Sequence, residues 1–233
     1  MKLKHVIFIV ALVIIIDQAL KIWIKTNHPT GEVLRVFGFN WFRLHYIENS
    51  GMAWGWRFGN EAGKMVLTLF RLAAVIFGTW YLGKIVKQKY SRGFVVCAAL
   101  IYAGALGNLI DSMFYGLIFD KGLHYNPAIH EYVNYSGVAS FSSHGYASFL
   151  HGSVVDMLYF PMVRSHFPSW FPFVGGQDFE FFSPIFNIAD ASISIGVITL
   201  LVFQKRFFKR HTPVEVHPTV ETSTEVSDKV QVL

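Results

Sequence analysis

The chain has 233 residues, 53% of them hydrophobic and 15% charged, and a mean hydropathy of +0.40, a balance that excludes an ordinary soluble domain and points to lipid as the solvent. The formal net charge of +5 does not indicate nucleic acid, because the Lys and Arg residues flank the apolar runs instead of forming a patch of their own. A single cysteine, Cys97, excludes a disulfide framework and a cysteine zinc site within one chain, and it reads as a buried small hydrophobe.

Crossing a bilayer takes about 20 apolar residues in a helix. The first such run, His5 to Ile24, follows a basic start, but no small-residue cleavage site comes after it, so an uncleaved helix is expected. Asp17 and Lys21 lie four apart near its end, on one helix face, and can pair. Residues 33–57 are β-branched and aromatic, broken by Gly38-Phe39-Asn40 and by Asn49-Ser50-Gly51, which predicts a small β-sheet. The second span runs from Met65 to Val86 and carries Arg71 about two turns from its start. A short loop leads to the third span, Phe94 to Tyr115, with Asn108 and Asp111 three apart near its end. Gly104, Ala105 and Gly107 would let a neighbouring helix approach closely.

A Tyr-, Ser-, His- and Gly-rich stretch, residues 117–151, comes next. The apolar run Phe149 to Val163 carries Asp156 and is too short to span, which suits an interfacial or re-entrant segment, and the segment His166 to Phe173 suits an interface too. The fourth span, Phe186 to Gln204, starts with Asn187 and Asp190, again three apart. Residues 212–233 are polar, with nothing to pack, and a disordered tail is expected there. The fold class predicted is therefore an all-α polytopic membrane protein: four transmembrane helices with a small extracytoplasmic β-sheet and an interfacial segment, making one membrane domain over residues 1–211. Lys2, Lys4, Lys84, Lys87, Lys89, Arg92, Lys205, Arg206, Lys209 and Arg210 gather on the side of both termini, so that side is expected to be cytoplasmic.

Ionisable groups in or at the edge of spans are costly, and Asp17, Lys21, Arg71, Asp111 and Asp190 are candidates for function on that ground. Each can also be read as structural: Asp17 with Lys21 as an ion pair, Asn187 and Asp190 as a helix cap, Arg71 as a lipid anchor. Caps do not explain several acids on one membrane side, where Asp156 also falls. Two carboxyl groups held together in a low-dielectric site divide into an acid and a base, which can hydrolyse a peptide without a metal or covalent intermediate. No His-Glu-x-x-His motif exists among ten His, and no nucleophile elbow surrounds Ser153 or Ser192. The competing reading is a transport or proton-conducting subunit using intramembrane Asp and Lys, but a relay should spread such groups through the membrane depth.

Five ordered blocks carry a resemblance: Asp17-Gln18-x-x-Lys21, Asn49-x-Gly51-x-Ala53-Trp54, Gly107-Asn108-x-x-Asp111, Val154-Val155-Asp156-Met157 and Phe186-Asn187-x-Ala189-Asp190. The chain resembles the lipoprotein signal peptidases (signal peptidase II), bacterial membrane aspartic endopeptidases. The resemblance implies cleavage of prolipoproteins before a diacylglyceryl-modified cysteine, with Asp156 and Asp190 catalytic. Asp17, Lys21, Asn49, Gly51, Asn108, Asp111 and Asn187 would bind substrate or support the pair. It further implies no cofactor and no metal, a monomer among membrane lipids in the bacterial inner membrane, and an active site near the outer leaflet. Two departures stand out. Ser112 occupies a position where the family usually has Arg, and the 117–151 insertion places Asp120 at the family's usual distance from Asp111. The flanks of Asp156 favour it over Asp120. Arg71 is expected to replace the missing guanidinium by reaching Asp111 or the substrate backbone beside it.

Overall fold

The computed structural model describes residues 1–49, 61–181 and 184–207. Gly51, residues 50–57 of the expected β element and the 212–233 tail lie outside them. Helix α1 (Leu3–Asn27) is inverted relative to a soluble helix: Ile7, Phe8 and Ile15 are 59%, 66% and 64% exposed, whereas Asp17 and Lys21 are buried. Apolar groups outside and polar groups inside is the distribution lipid demands. Helix α2 (Glu61–Lys87) shares it, and α3 (Arg92–Ile110) runs through a π-helical turn (Asp111–Tyr115) into the short α4 (Gly116–Ile118). Three helical stretches, Leu3–Asn27, Ala62–Lys87 and Arg92–Ile118, are long and apolar enough to cross a membrane. Near the C-terminus, α5 (Ile188–Val202) has 15 residues and is followed by α6 (Gln204–Phe207). It begins two residues later than the span expected at Phe186, because Phe186 is taken into a strand.

Strands β1 (Val33–Arg35) and β2 (Arg43–Asn49) form the expected sheet element. Within the apolar run Phe149 to Val163, the residues around Asp156 form strand β5 (Val154–Tyr159), all six residues buried. A continuous apolar run is what a strand covered on both faces requires, and six residues suffice. The hairpin β3 (His124–Asn126) and β4 (Glu131–Val133) belongs to the insertion, and β6 (Val163–His166) pairs with β7 (Asp178–Phe181). With β8 (Ile185–Phe186), the main sheet runs β1-β2-β5-β8, antiparallel throughout, placing Ile47 opposite Asp156 and Leu158 opposite Phe186. The class is thus helices long enough to span a membrane with a sheet set against them, and "all-α" understates the sheet. The loop between β6 and β7 leaves Trp170 and Phe173 77% and 100% exposed.

Helix α3 is the hub, packing on α1, α2 and α5. The small residues there are required: a Cβ on Gly104 would come to 2.2 Å from the Ala189 carbonyl oxygen of α5, and one on Gly107 to 2.9 Å from Asp17 Oδ2 of α1. Such approach lets three helices deliver polar groups to one point.

Candidate active site

The deepest layer is a charge cluster. Lys21 Nζ bridges Asp17 Oδ2 at 2.8 Å and Asp111 Oδ2 at 2.7 Å, and all three side chains are fully buried. Its third bond goes to Asn108 Oδ1 at 2.9 Å. Gln18 Nε2 donates to Asp111 Oδ1 at 2.8 Å, and Tyr115 donates its hydroxyl to Gln18 Oε1 at 3.1 Å. Asp17 Oδ1 accepts the Ala189 N–H at 2.9 Å, the start of α5. Each carboxyl oxygen of Asp17 and Asp111 also accepts a neutral donor or a helix N–H, which offsets the cost of this depth. The expected pairing of Asp17 with Lys21 is present. Asp111 joins it across helices because the π turn starts at that residue, a geometry that recurs at functional sites.

Built on this layer is the pair Asp156 and Asp190. Asn187 caps α5 with both halves of a capping box: its Oδ1 accepts the Asp190 N–H at 2.8 Å, and Asp190 Oδ2 accepts the Asn187 N–H at 3.4 Å. The same side chain donates through Nδ2 to Asp156 Oδ1 at 2.7 Å. Asn108 Nδ2 donates to Asp190 Oδ1 at 2.7 Å, and Asn49 Nδ2 reaches Asp156 Oδ2 at 3.3 Å. The sheet brings Asn49 there, since β2 pairs with β5. Burial, and next the charge of Asp190, push the Asp156 carboxyl up to about 7.

The structure therefore gathers Asp17, Lys21, Asn49, Asn108, Asp111, Asp156, Asn187 and Asp190 into one network, with Gly51 outside the described residues. Arg71 does not take the first of its two expected partners. Among the described residues its guanidinium does not hydrogen-bond Asp111, whose oxygens are occupied by Lys21 and Gln18. It donates to Ser112 Oγ at 3.1 Å, and Ser112 donates to the Asn108 carbonyl at 3.0 Å. The carboxylates acting on it electrostatically are Asp190 first, then Asp111 and Asp156. Asp120 lies apart: it is exposed, and its Oδ1 accepts the Ser140 N–H at 2.7 Å. Ser153 and Ser192 donate their hydroxyls to the carbonyls of Leu123 and Ile188. Gln18 was missed as a site residue, although its place directly after Asp17 was the available signal.

The sequence profile of the family described as Signal peptidase (SPase) II matches residues 9–206. The chain belongs to the signal peptidase II family. A lipoprotein signal peptidase of Porphyromonas gingivalis is 43% identical over 206 residues, covering 87% of this chain and 84% of its own. One from Amoebophilus asiaticus is 34% identical over 201 residues, covering 85% and 76%. A bacterial membrane enzyme solved in meso at 2.3 Å has the same fold, with a TM-score of 0.53 at 24% identity, covering 91% of this chain and 96% of that one. As a signal peptidase II family member the chain is a protease, and its apolar helices make it a membrane protein. The polar network of this family member is carried by α1, the end of α3 with its π turn, the start of α5, and strands β2 and β5.

Proposed function

We propose that the protein is a membrane aspartic endopeptidase that removes the signal peptide from bacterial prolipoproteins by cleaving before the diacylglyceryl-modified cysteine, with Asp156 and Asp190 as the catalytic pair. The observation that carries this is that one Asn187 side chain joins the two elements, donating to the Asp156 carboxyl and accepting the backbone N–H of Asp190. Asp156, with its raised carboxyl, holds the proton, and Asp190 acts as carboxylate. Asp190 takes a proton from water as the water oxygen attacks the scissile carbonyl, while Asp156 gives its proton to the carbonyl oxygen. Collapse of the tetrahedral species returns that proton to Asp156, and Asp190 passes its own to the leaving amine. Asp17, Lys21 and Asp111 fix the start of α5 and the position of Asn108, and Asn49, Gly51, Asn108 and Asn187 orient the pair or the substrate. Arg71, which donates to Ser112 Oγ at 3.1 Å, supplies a cation suited to a substrate carbonyl oxygen. No metal takes part.

The proposed setting is one membrane domain with four spans, α5 with α6 being the fourth, both termini cytoplasmic in the inner membrane, and the pair near the outer leaflet. The basic residues at the terminal side support that orientation. The test uses purified protein in detergent with a prolipoprotein, with and without its diacylglyceryl group, in the presence of chelator. Cleavage of the modified form alone, unaffected by chelator, is expected. Equal cleavage of both forms, or activity abolished by chelator and restored by zinc, would contradict the reading.

A further inference from the structure

The 117–151 insertion reaches both strands that carry Asn49 and Asp156. Lys25 of α1 pairs with Glu48 of β2, both side chains fully buried, and the ammonium lies 5.1, 5.2 and 5.3 Å from the ring centres of Phe119, Tyr135 and Tyr146. Glu48 Oε1 also accepts the hydroxyls of Tyr46 at 2.7 Å and Tyr135 at 2.9 Å, and its Oε2 accepts the Leu123 N–H at 2.8 Å. The carbonyl of the same Leu123 accepts the Ser153 hydroxyl at 3.0 Å, and the Ser153 N–H donates to the Tyr146 hydroxyl at 2.8 Å. Lys64 Nζ donates to Ser153 Oγ at 3.1 Å. One residue of the insertion thus holds two strands, β2 through its N–H and the residue before β5 through its C=O. Cation–π contacts and charge-assisted hydrogen bonds in a dry setting fix the insertion against α1 and β2.

These bonds lie directly behind the candidate pair. In the register of β2 with β5, Asn49 is opposite Val154, Glu48 opposite Val155 and Ile47 opposite Asp156. Side chains alternate between the faces of a sheet, so Asn49 and Asp156 share one face while Glu48 and Ser153 share the other. The two Leu123 bonds therefore cross the Asn49–Val154 pair diagonally on the far face. On the near face Asn49 Nδ2 meets Asp156 Oδ2 at 3.3 Å, a separation that a strand shift of a few tenths of an ångström would open beyond hydrogen-bond reach. Strand β2 needs an anchor here, because its pairing with β5 is irregular between Leu44 and Ile47, just before the residues that face the site. An irregularity of this kind bends the strand and interrupts the ladder that would otherwise hold its register. Glu48 and Ser153 supply the hold on the site side of it.

We propose that Glu48 and Ser153, joined through the backbone of Leu123, are positioning residues that hold Asn49 against Asp156, so that the insertion braces the acid of the reaction. The proposal rests on the peptidase reading, in which Asp156 gives its proton to the scissile carbonyl. The full chain in detergent is assayed for cleavage of a diacylglyceryl-modified prolipoprotein with Ser153→Ala, Glu48→Gln and Asn49→Ala, and with each of the first two combined with Asn49→Ala. Ser153→Ala and Glu48→Gln are expected to lower kcat at least about tenfold with KM near that of the wild type, as misplacement of a reacting group does. In the Asn49→Ala background the same changes are expected to cost less than about twofold more, because residues that act through one contact are not additive. The pH profile gives a second readout. The Asn49 bond favours the ionised carboxyl of Asp156, so its loss moves the decline of kcat to higher pH, in Ser153→Ala as in Asn49→Ala. Ser153→Ala changes no charge, and Asp190 of α5, Lys21 of α1 and Arg71 of α2, the charged groups that act on Asp156, are left unchanged. Tyr125→Phe, which removes a hydroxyl bonded to His130 within the insertion, should match the wild type. Wild-type kcat in Ser153→Ala and Glu48→Gln, or losses that multiply fully with that of Asn49→Ala, would overturn the positioning role and leave the peptidase reading standing. A wild-type protein that cleaves nothing would overturn both. Ser153→Ala carries the test if Glu48→Gln does not fold.

Discussion

Asp156 and Asp190 are tied to each other through a single side chain: Asn187 donates to Asp156 Oδ1 at 2.7 Å and accepts the Asp190 N–H at 2.8 Å. The cap of one helix is thereby also the spacer of the candidate pair. Asn187→Ser separates the two roles, because serine caps a helix nearly as well but its hydroxyl is too short to reach Asp156. Asn187 Nδ2 also donates to Asn108 Oδ1 at 3.1 Å and to the Val155 carbonyl at 3.3 Å, so Asn187→Ser is expected to melt somewhat below the wild type but above Asn187→Ala, while kcat falls about a hundredfold or more. Asn187→Ala should lose the cap as well, worth about 0.5–2 kcal/mol. Wild-type turnover in Asn187→Ser would show that the bond to Asp156 is incidental.

The raised carboxyl of Asp156 sets a pH limit. Its proton is present below about 7 and lost above, because burial and the Asp190 charge both oppose ionisation. Since that proton must reach the carbonyl oxygen, kcat is expected to decline as pH rises through 7. The measurement is a single-turnover pH profile in detergent; a flat profile from pH 6 to 9 would contradict it.

Arg71 makes one hydrogen bond among the described residues, to Ser112, and faces Asp190 electrostatically. If it holds a substrate carbonyl, Arg71→Gln loses a charged hydrogen bond worth about 1.5–3 kcal/mol, roughly ten- to a hundredfold in kcat/KM. Arg71→Gln combined with Ser112→Arg is expected to recover part of the loss by returning a guanidinium from the π turn that follows α3. Full activity in Arg71→Gln alone would leave the arginine as a lipid anchor.

Helix contact at Gly104 can be tested separately from chemistry. A Cβ there meets the Ala189 carbonyl oxygen at 2.2 Å, backbone that can yield only by moving α5, and Asp190 with it. Gly104→Ala is expected to cost about 1–3 kcal/mol and most activity. A Cβ on Gly83 of α2 meets nothing within 4 Å, so Gly83→Ala should match the wild type in thermal melting and cleavage. Equal behaviour of the two variants would mean that α3 and α5 do not need this approach.

Much of the site was legible in the sequence because charges in apolar runs are conspicuous. The three-residue spacings of Asn108 with Asp111 and Asn187 with Asp190 did mark inward faces. Two things were not legible. The strand within Phe149 to Val163 was not read as one because periodicity cannot separate a fully buried strand from a short apolar helix; what decides it is pairing with β2, more than a hundred residues earlier in the chain. The destination of Arg71 was also hidden, since it depends on how fully Lys21 and Gln18 saturate Asp111. The aromatic seat of Lys25 joins residues from α1, β2 and the insertion, a juxtaposition that spacing alone does not reveal.

In the proposed mechanism Asp156 and Asp190, and not Asp120, carry the reaction. The most direct measurement is cleavage of a diacylglyceryl-modified prolipoprotein by purified Asp156→Asn, Asp190→Asn and Asp120→Asn proteins, each first checked for wild-type melting. Loss of turnover by at least about a hundredfold in the first two, with Asp120→Asn largely active, is the expected result. An active Asp156→Asn beside an inactive Asp120→Asn would contradict it.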